Sequence, residues 1–255
     1  MNSKIIFQGN FSNKNVTCKY DKVSSRKIDP VIEEKAKRIW QQKMQEARES
    51  GKKMWDQPVY RLEKFHIDQN KCMLEISTIP FSIRSSIKDF TNELIKKGEE
   101  YLPMAIYSSI FVETTDGRFI FGEKSDKYAA NRKYGYIGGV FNRSKEDDGA
   151  DLFTASCDEV KEELGIENND VEEFNLLGAL RTESRNVALV FYCRLNLTED
   201  ETMEKFKERN DLEMKNLFFA RKEDLRDIGV NKIGKEPEFV DIFEQTGTGI
   251  TFNKP

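Results

Sequence analysis

Apolar and polar residues alternate over residues 59–67 and 72–76, on either side of Asp68-Gln69-Asn70, and this pattern predicts a β-hairpin. Ahead of it, residues 4–20 read as short strands with polar turns. Residues 30–50 predict a charged helix, with Pro30 suited to its first turn and Gly51 to its end. A second helix is predicted over 83–97, ending near Gly98. Past Pro103 the texture becomes more apolar. Residues 104–113 predict a strongly apolar strand, Asp116-Gly117 a hairpin turn and 119–122 the return strand. Residues 134–141 predict a strand broken at Gly138-Gly139, followed by a polar loop over 142–149. A helix over 150–164 stops at Gly165. Strands are predicted over 171–182, 186–197 and 215–220. Helical segments are predicted over 200–208, 222–226 and 237–245. This mixture implies an α/β or α+β domain from about residue 100, preceded by an α+β extension over 1–100.

Composition removes several classes of function. Of 255 residues, 38% are hydrophobic and 18 are Phe, enough for a core. The net charge of −4, from 45 acids and 41 bases, predicts no nucleic-acid partner. No apolar run approaches the ~20 residues of a membrane span, and Met1-Asn2-Ser3-Lys4 does not open like a signal peptide, so a cytoplasmic protein is expected. Cys18, Cys72, Cys157 and Cys193 are far apart and read as free thiols. His66 is the single histidine, lies in an alternating strand and has no nucleophile motif beside it. Chemistry should therefore rest on carboxylates and a metal. A homodimer is compatible with the sequence without being read from it.

The informative segment is Asp158-Glu159-Val160-Lys161-Glu162-Glu163-Leu164-Gly165-Ile166. On a helix, Phe153, Cys157, Val160 and Leu164 form one apolar stripe. Glu159, Glu162 and Glu163 then fall on a neighbouring arc roughly 100° wide. Like charges so spaced repel by a few tenths of a kcal/mol per pair, and a hard divalent cation such as Mg²⁺ or Mn²⁺ would reverse that cost. An acidic face with no ligand is the plainer reading of such a triplet. Gly138-Gly139 upstream changes the balance, because backbone amides there would approach a phosphate beside the metal.

These residues resemble the Nudix box, Gly-x5-Glu-x7-Arg-Glu-U-x-Glu-Glu-x-Gly-U with U aliphatic. Glu159, Val160, Glu162, Glu163, Gly165 and Ile166 fit its helical end, and Gly138-Gly139 its start. The departures are specific. From Gly139 to Asp158 is 158 − 139 = 19 positions against 14 in the pattern, so the loop is five residues longer. Asp158 stands for the usual Arg and Ala150 for the usual first Glu, which removes a supporting pair; Glu146, in the longer loop, is a candidate substitute for that Glu. The resemblance implies an α/β/α sandwich with a mixed sheet and the N-terminal extension. It also implies metal ligation by Glu159 and Glu163, with Glu162 joining in some members.

A narrower resemblance runs through Ile39-Trp40, Val59 to Leu62, Leu177 to Glu183, Val190 to Cys193 and Leu197-Thr198. It is to the branch containing the mammalian UDP-glucose and UDP-galactose pyrophosphatase and its plant relatives. The branch implies hydrolysis of a UDP-sugar to UMP and a sugar 1-phosphate, with the extension (1–100) shaping the pocket of the catalytic domain (101–255). ADP-ribose or another nucleoside diphosphate derivative is the alternative substrate, and a non-catalytic nucleotide sensor the alternative class. Arg181 and Glu183, at a strand end, are candidates for substrate phosphate and for metal or water. Arg84 is a candidate for an anion, and Tyr136, beside Gly138, for a base or sugar. An ion pair for Arg181 and Glu183, a helix surface for Arg84 and core packing for Tyr136 are the bland counterparts. Trp40 and Trp55 read as packing between extension and catalytic domain, and 205–209 as a solvated face around Phe206.

Overall fold

The computed structural model describes residues 3–52, 54, 56–125, 133–141 and 151–246. The polar loop over 142–149 with Glu146, together with Ala150 and Trp55, lies outside them.

Three of the first four strands form a small sheet and the first joins a larger one. Strand β1 (Lys4–Phe11) is followed by β2 (Val16–Tyr20), helix α1 (Pro30–Glu49) and the hairpin β3 (Pro58–Asp68) and β4 (Lys71–Pro80). The hairpin is the predicted one, longer at both outer ends, and β2 joins it in parallel to give the order β2-β4-β3. Asp29 caps α1, its carboxylate accepting from the amides of Val31 and Ile32 at 3.0 Å each. The helix predicted over 83–97 is broken instead into α2 (Phe81–Ser86), a 3-10 turn (Ile87–Phe90) and α3 (Thr91–Lys97). Ser85 and Ser86 are weak helix formers, and the tightened turn buries Ile87 and Leu94 against Ile32 of α1. Trp40 meets Phe81 edge-on at 5.9 Å, so it joins α1 to α2 within the N-terminal region rather than bridging to the C-terminal part.

The larger sheet has seven strands: β1, β5 (Ile106–Glu113), β6 (Phe119–Lys124), β7 (Tyr134–Gly135), β8 (Val171–Arg181), β9 (Val187–Leu195) and β10 (Met214–Ala220). Their order is β1-β8-β9-β5-β6-β10, with β7 on β6. Only β5 and β9 run parallel, so the sheet is mixed. The strand β1, ahead of the expected boundary at residue 100, thus lies at an edge of the C-terminal sheet. Helix α4 (Leu152–Leu164) covers one face through Leu152, Phe153, Val160 and Leu164. On the other face α7 (Glu238–Thr246) packs Phe239, Val240, Ile242 and Phe243. Helix α5 (Glu199–Glu208) and the short α6 (Leu225–Asp227) complete the chain. The architecture is the expected α/β/α sandwich. Among the described residues no helix is long and apolar enough to cross a membrane.

Two features of this frame position the site. Strand β6 pairs with β5 only at Val112 and Glu113, and the chain around the diglycine fills the vacated edge, with bridges Tyr107↔Val140 and Ile110↔Ile137. Here only Tyr134–Gly135 of the predicted strand is regular. The small sheet is tied to the same place by Tyr60 N–H donating to Phe141 O at 3.2 Å and Leu62 N–H to Met104 O at 3.0 Å. Val59, Ile79, Ala105, Phe81 and Val140 close the joint as an apolar cluster.

Candidate active site

Helix α4 begins at Leu152 because Asp151 accepts from the amides of Phe153 and Thr154, at 3.1 and 3.0 Å. It ends where Gly165 takes a left-handed φ of 72°, which lacks the Cβ penalty other residues incur. Its buried side is wider than the apolar stripe of the sequence, taking in Ser156 and Glu163 as well. The three glutamates are therefore unequal: Glu163 is 3% exposed, Glu159 half-buried and Glu162 exposed. Glu162 lies in an outer groove with Asp158, Lys161 and Asp211. Asp158, in the place of the usual Arg, pairs with Lys161 at 2.5 Å.

Glu163 reaches the diglycine. Gly138 N–H donates to its Oε2 at 2.8 Å, while its Oε1 is buried with no partner. Gly138 has φ +116°, a conformation that favours glycine, and a Cβ there would meet Ser108 Oγ at 2.7 Å. Gly139 N–H donates to Ser108 Oγ at 3.1 Å, and a Cβ at Gly139 would stand 2.9 Å from Glu159 Oε2. Both amides expected to face a phosphate are thus engaged by Glu163 and Ser108, because the turn at Gly138 aims them into the protein.

Burial pushes the Glu163 carboxyl well above the usual range; Glu159 and Glu213 push the same way, against the Gly138 hydrogen bond. Burial, then Glu213, Glu162 and Asp211, raise Glu159 to about 7. Asp211 and Glu213 precede β10 and reach the helix because β10 pairs with β6, whose Lys124 binds Glu213 at 3.1 Å. No motif or spacing in the sequence links Glu213 or Lys124 to α4. Among the described residues no three Asp, Glu, His or Cys side chains already stand as a ligand set. The fit of a divalent cation rests on Glu163 and Glu159: two neighbouring carboxylates, one with an orphaned buried oxygen, whose pKa values burial raises first and the adjacent acids raise further. Leaving such an oxygen unpaired costs about 1–3 kcal/mol. A hard cation beside it would relieve both the repulsion and the orphaned acceptor.

Next to the carboxylates lies a cavity of about 400 Å³. Gly138, Gly139 and Tyr136 line it on one side, and Arg84, Lys124 and Lys235 bring three cations. Lys235 donates to Tyr107 Oη at 3.1 Å. The β8–β9 turn contributes Thr182, Ser184 and Asn186. Tyr136 is a core ring: edge-on to Phe111 at 4.9 Å, stacked with Phe239 at 5.9 Å, its hydroxyl buried without a partner. Arg181 faces a different cavity, where it pairs with Glu99 at 2.5 Å. Glu183 is exposed, its amide donating to Glu236 at 3.3 Å. The fold thus gathers Glu159, Glu163, Gly138, Gly139, Tyr136 and Arg84 around one place and leaves Arg181, Glu183 and Glu162 at its margin or beyond. Lys235 and Tyr107 were not legible as site residues; Lys235 lies between Gly234 and Pro237 and reads as a loop lysine. Arg209, in the expected solvated run, packs over the Phe206 ring at 3.3 Å and donates to backbone carbonyls. His66 is exposed on β3.

No protein-family model matches the chain, and no curated protein matches it. Solved structures similar to it include the MutT protein from Methanosarcina mazei Go1, at 15% identity over 55% of this chain and 92% of that one, with a TM-score of 0.34. A Nudix hydrolase from Nitrosomonas europaea shares 13% identity over 55% and 85% of the two chains, with a TM-score of 0.32. Tm1382, a candidate Nudix hydrolase, shares 13% over 74% and 99%, with a TM-score of 0.40. At such identities and scores, what this chain does is read from its own residues.

Proposed function

We propose that this protein is a Nudix-type, Mg²⁺- or Mn²⁺-dependent hydrolase of a nucleoside diphosphate derivative, with the substrate diphosphate in the diglycine cavity. One observation carries the reading: buried Glu163, with an unpartnered oxygen, sits against Gly138 at the wall of a cavity that also holds Arg84, Lys124 and Lys235. Glu159 and Glu163 would hold the cation, with Glu162 near its outer side. Once bound, that cation supplies Lewis-acid polarisation of a phosphoryl oxygen and acidifies a water. The chain's own work is to place and neutralise the diphosphate. Arg84 and Lys235 offer charge to its oxygens, and Lys124 stands between the cavity and Glu213. Ser108 and Gly138 fix the diglycine, so the carboxylates and the cavity keep one spacing. Packing of Val140 against Val59, Ile79 and Phe81 supports an extension, residues 1–100, that borders the cavity of a catalytic domain, 101–255.

Within this reading the substrate is a UDP-sugar, UDP-glucose or UDP-galactose, cut to UMP and a sugar 1-phosphate. Support comes from the ordered short likenesses along the sequence, and the cavity volume is within the range of small-molecule sites. The test is a competition at equal concentration with Mg²⁺ or Mn²⁺. UDP-glucose or UDP-galactose is expected to be hydrolysed faster than ADP-ribose, ADP-glucose or GDP-mannose. Preference for ADP-ribose overturns the sugar assignment alone. One observation favours a second reading: no ligand set is preformed among the described residues. A nucleotide bound tightly and cut with neither metal would make the protein a sensor.

A further inference from the structure

We infer that Arg84 anchors a phosphoryl group in the diglycine cavity, so that one residue of the N-terminal region makes the cavity select diphosphates over monophosphates. The inference rests on reading that cavity as the substrate site. Arg84 lies on α2, the turn of helix that follows β4 directly. Its Nε is buried without a partner, and among the described residues it forms no hydrogen bond or ion pair. Its neighbours are the Phe81 ring, 5.5 Å from the guanidinium carbon, and Tyr107. A ring contact of this kind does not replace the hydrogen bond that the buried Nε lacks. A protein keeps a cation in this state where a ligand completes it.

The surroundings say what that ligand is. Lys235 and Lys124 share the cavity with Arg84, against one acid, Glu236, among the described residues of its wall. Lys124 is already paired with Glu213 at 3.1 Å, and Lys235 is turned onto Tyr107. Arg84 is therefore the cation least compensated from within. Its planar fork of donors matches two oxygens of a phosphoryl group. The hydroxyls of Thr182 and Ser184 and the amide of Asn186, in the β8–β9 turn, offer polar partners on the same cavity wall. A diphosphate has enough oxygens to meet Arg84 and a second cation together, and a monophosphate has to choose.

Deleting residues 1–100 would be a poor test, because it also removes β1 from the sheet. Point variants keep the chain whole. Pyrophosphate and inorganic phosphate are titrated by calorimetry into the full-length protein in chelator, with melting temperatures recorded without anion. The wild type is expected to bind pyrophosphate at least tenfold more tightly than phosphate. Arg84→Gln should lose that difference and should melt at the same temperature as the wild type or higher, since an uncompensated cation has gone. Arg84→Lys should recover part of the pyrophosphate affinity. Undiminished pyrophosphate binding by Arg84→Gln overturns the inference, as does a lower melting temperature with the preference for pyrophosphate intact, which would mark Arg84 as a packing residue. Neither readout uses turnover or metal. A protein that binds pyrophosphate through Arg84 yet cuts nothing would refute the hydrolase and leave the anchor, and a hydrolase indifferent to Arg84 would do the reverse.

Discussion

Two buried glutamates, Glu63 in the small sheet and Glu163 on α4, show how the same side chain serves opposite ends. Glu63 has an 8% exposed side chain, and both of its oxygens are occupied. Arg61 and Ser77 donate to it from β3 and β4. Ser24 donates at 2.9 Å, and Ser25 donates through both its amide and its hydroxyl. Burial pushes its pKa up, but the hydrogen bonds from Arg61, Ser25 and Ser77 outweigh this and bring it down to about 2. Glu163 is more deeply buried, accepts one amide, keeps an orphaned oxygen and has its pKa pushed far up. A closed network belongs to the architecture. An open one, at a cavity and beside further carboxylates, is the arrangement expected of a binding site.

Breaking the closed network should have the largest effect. Glu63→Ala leaves Arg61, 3% exposed, without its counter-charge. A buried pair broken on one side costs about 3–5 kcal/mol, to be read as a shift of the denaturant midpoint with unchanged slope. Substrate KM should stay as it is in whatever fraction remains folded. A destabilisation under about 1 kcal/mol, the range of a surface pair, would mean that the network is not closed in solution.

Opening the comparison from the other side, Glu163→Gln should cost activity rather than stability. Turnover at saturating Mg²⁺ is expected to fall by about 10–100-fold or more, by analogy with the loss of groups that support a bound metal. The metal-free variant should fold as well as the wild type, since a neutral amide replaces a carboxylate that burial disfavours. The rise in melting temperature on adding Mg²⁺ should shrink. Unchanged turnover would take Glu163 out of the site.

The acid limb of the stability curve sharpens the contrast further. Because the Glu63 pKa falls from 4.5 in the unfolded chain to about 2 in the fold, its contribution is complete above about 4.5. It is lost as pH drops through the window down to about 2. Unfolding free energy measured against pH should therefore decline across that window in the wild type. The decline should be shallower in Glu63→Gln, which has no proton to take up there. Parallel curves for the two proteins would assign the limb to other carboxylates.

How much of this was legible in the sequence depends on how local its cause is. The β3–β4 hairpin, α4 with its stop at Gly165, and the β8 and β9 strands follow from periodicity and turn residues within a dozen positions. The break between α2 and α3 does not, because Ile83, Ile87 and Leu94 keep helical spacing; the 3-10 turn is set by packing onto Ile32. Nothing in β1 announces that it will pair with β8, some 170 positions away. The site divides the same way. Glu159, Glu163 and the diglycine were readable because one helix and one tight turn carry them. Lys124, Glu213 and Lys235 arrive through the β6–β10 pairing and the approach to α7, which no spacing encodes. Arg181 illustrates the converse: a strand-end arginine in a suggestive run, it turns to Glu99 and a different cavity.

The smallest expected effect tests whether the frame of the open site is separable from its chemistry. Asp151 holds the first turn of α4 by accepting from Phe153 and Thr154, and its carboxylate stands at the positive end of the helix dipole. Asp151→Ala should cost about 1 kcal/mol of stability, the usual worth of an N-cap, or about 2–4 °C for a chain of this size. Asp151→Asn, which keeps the acceptor and loses the charge, should cost less. Glu159 and Glu163 lie two and three turns further on, fixed by Val160 and Leu164 in the core and by Gly138, so fraying at the cap should leave them in place. Both variants should therefore keep kcat and the Mg²⁺-induced rise in melting temperature within about twofold, on the expectation that separated sites act independently. A large loss of kcat in Asp151→Ala that Asp151→Asn restores would show that the start of the helix, rather than its packed middle, sets the spacing of the carboxylates.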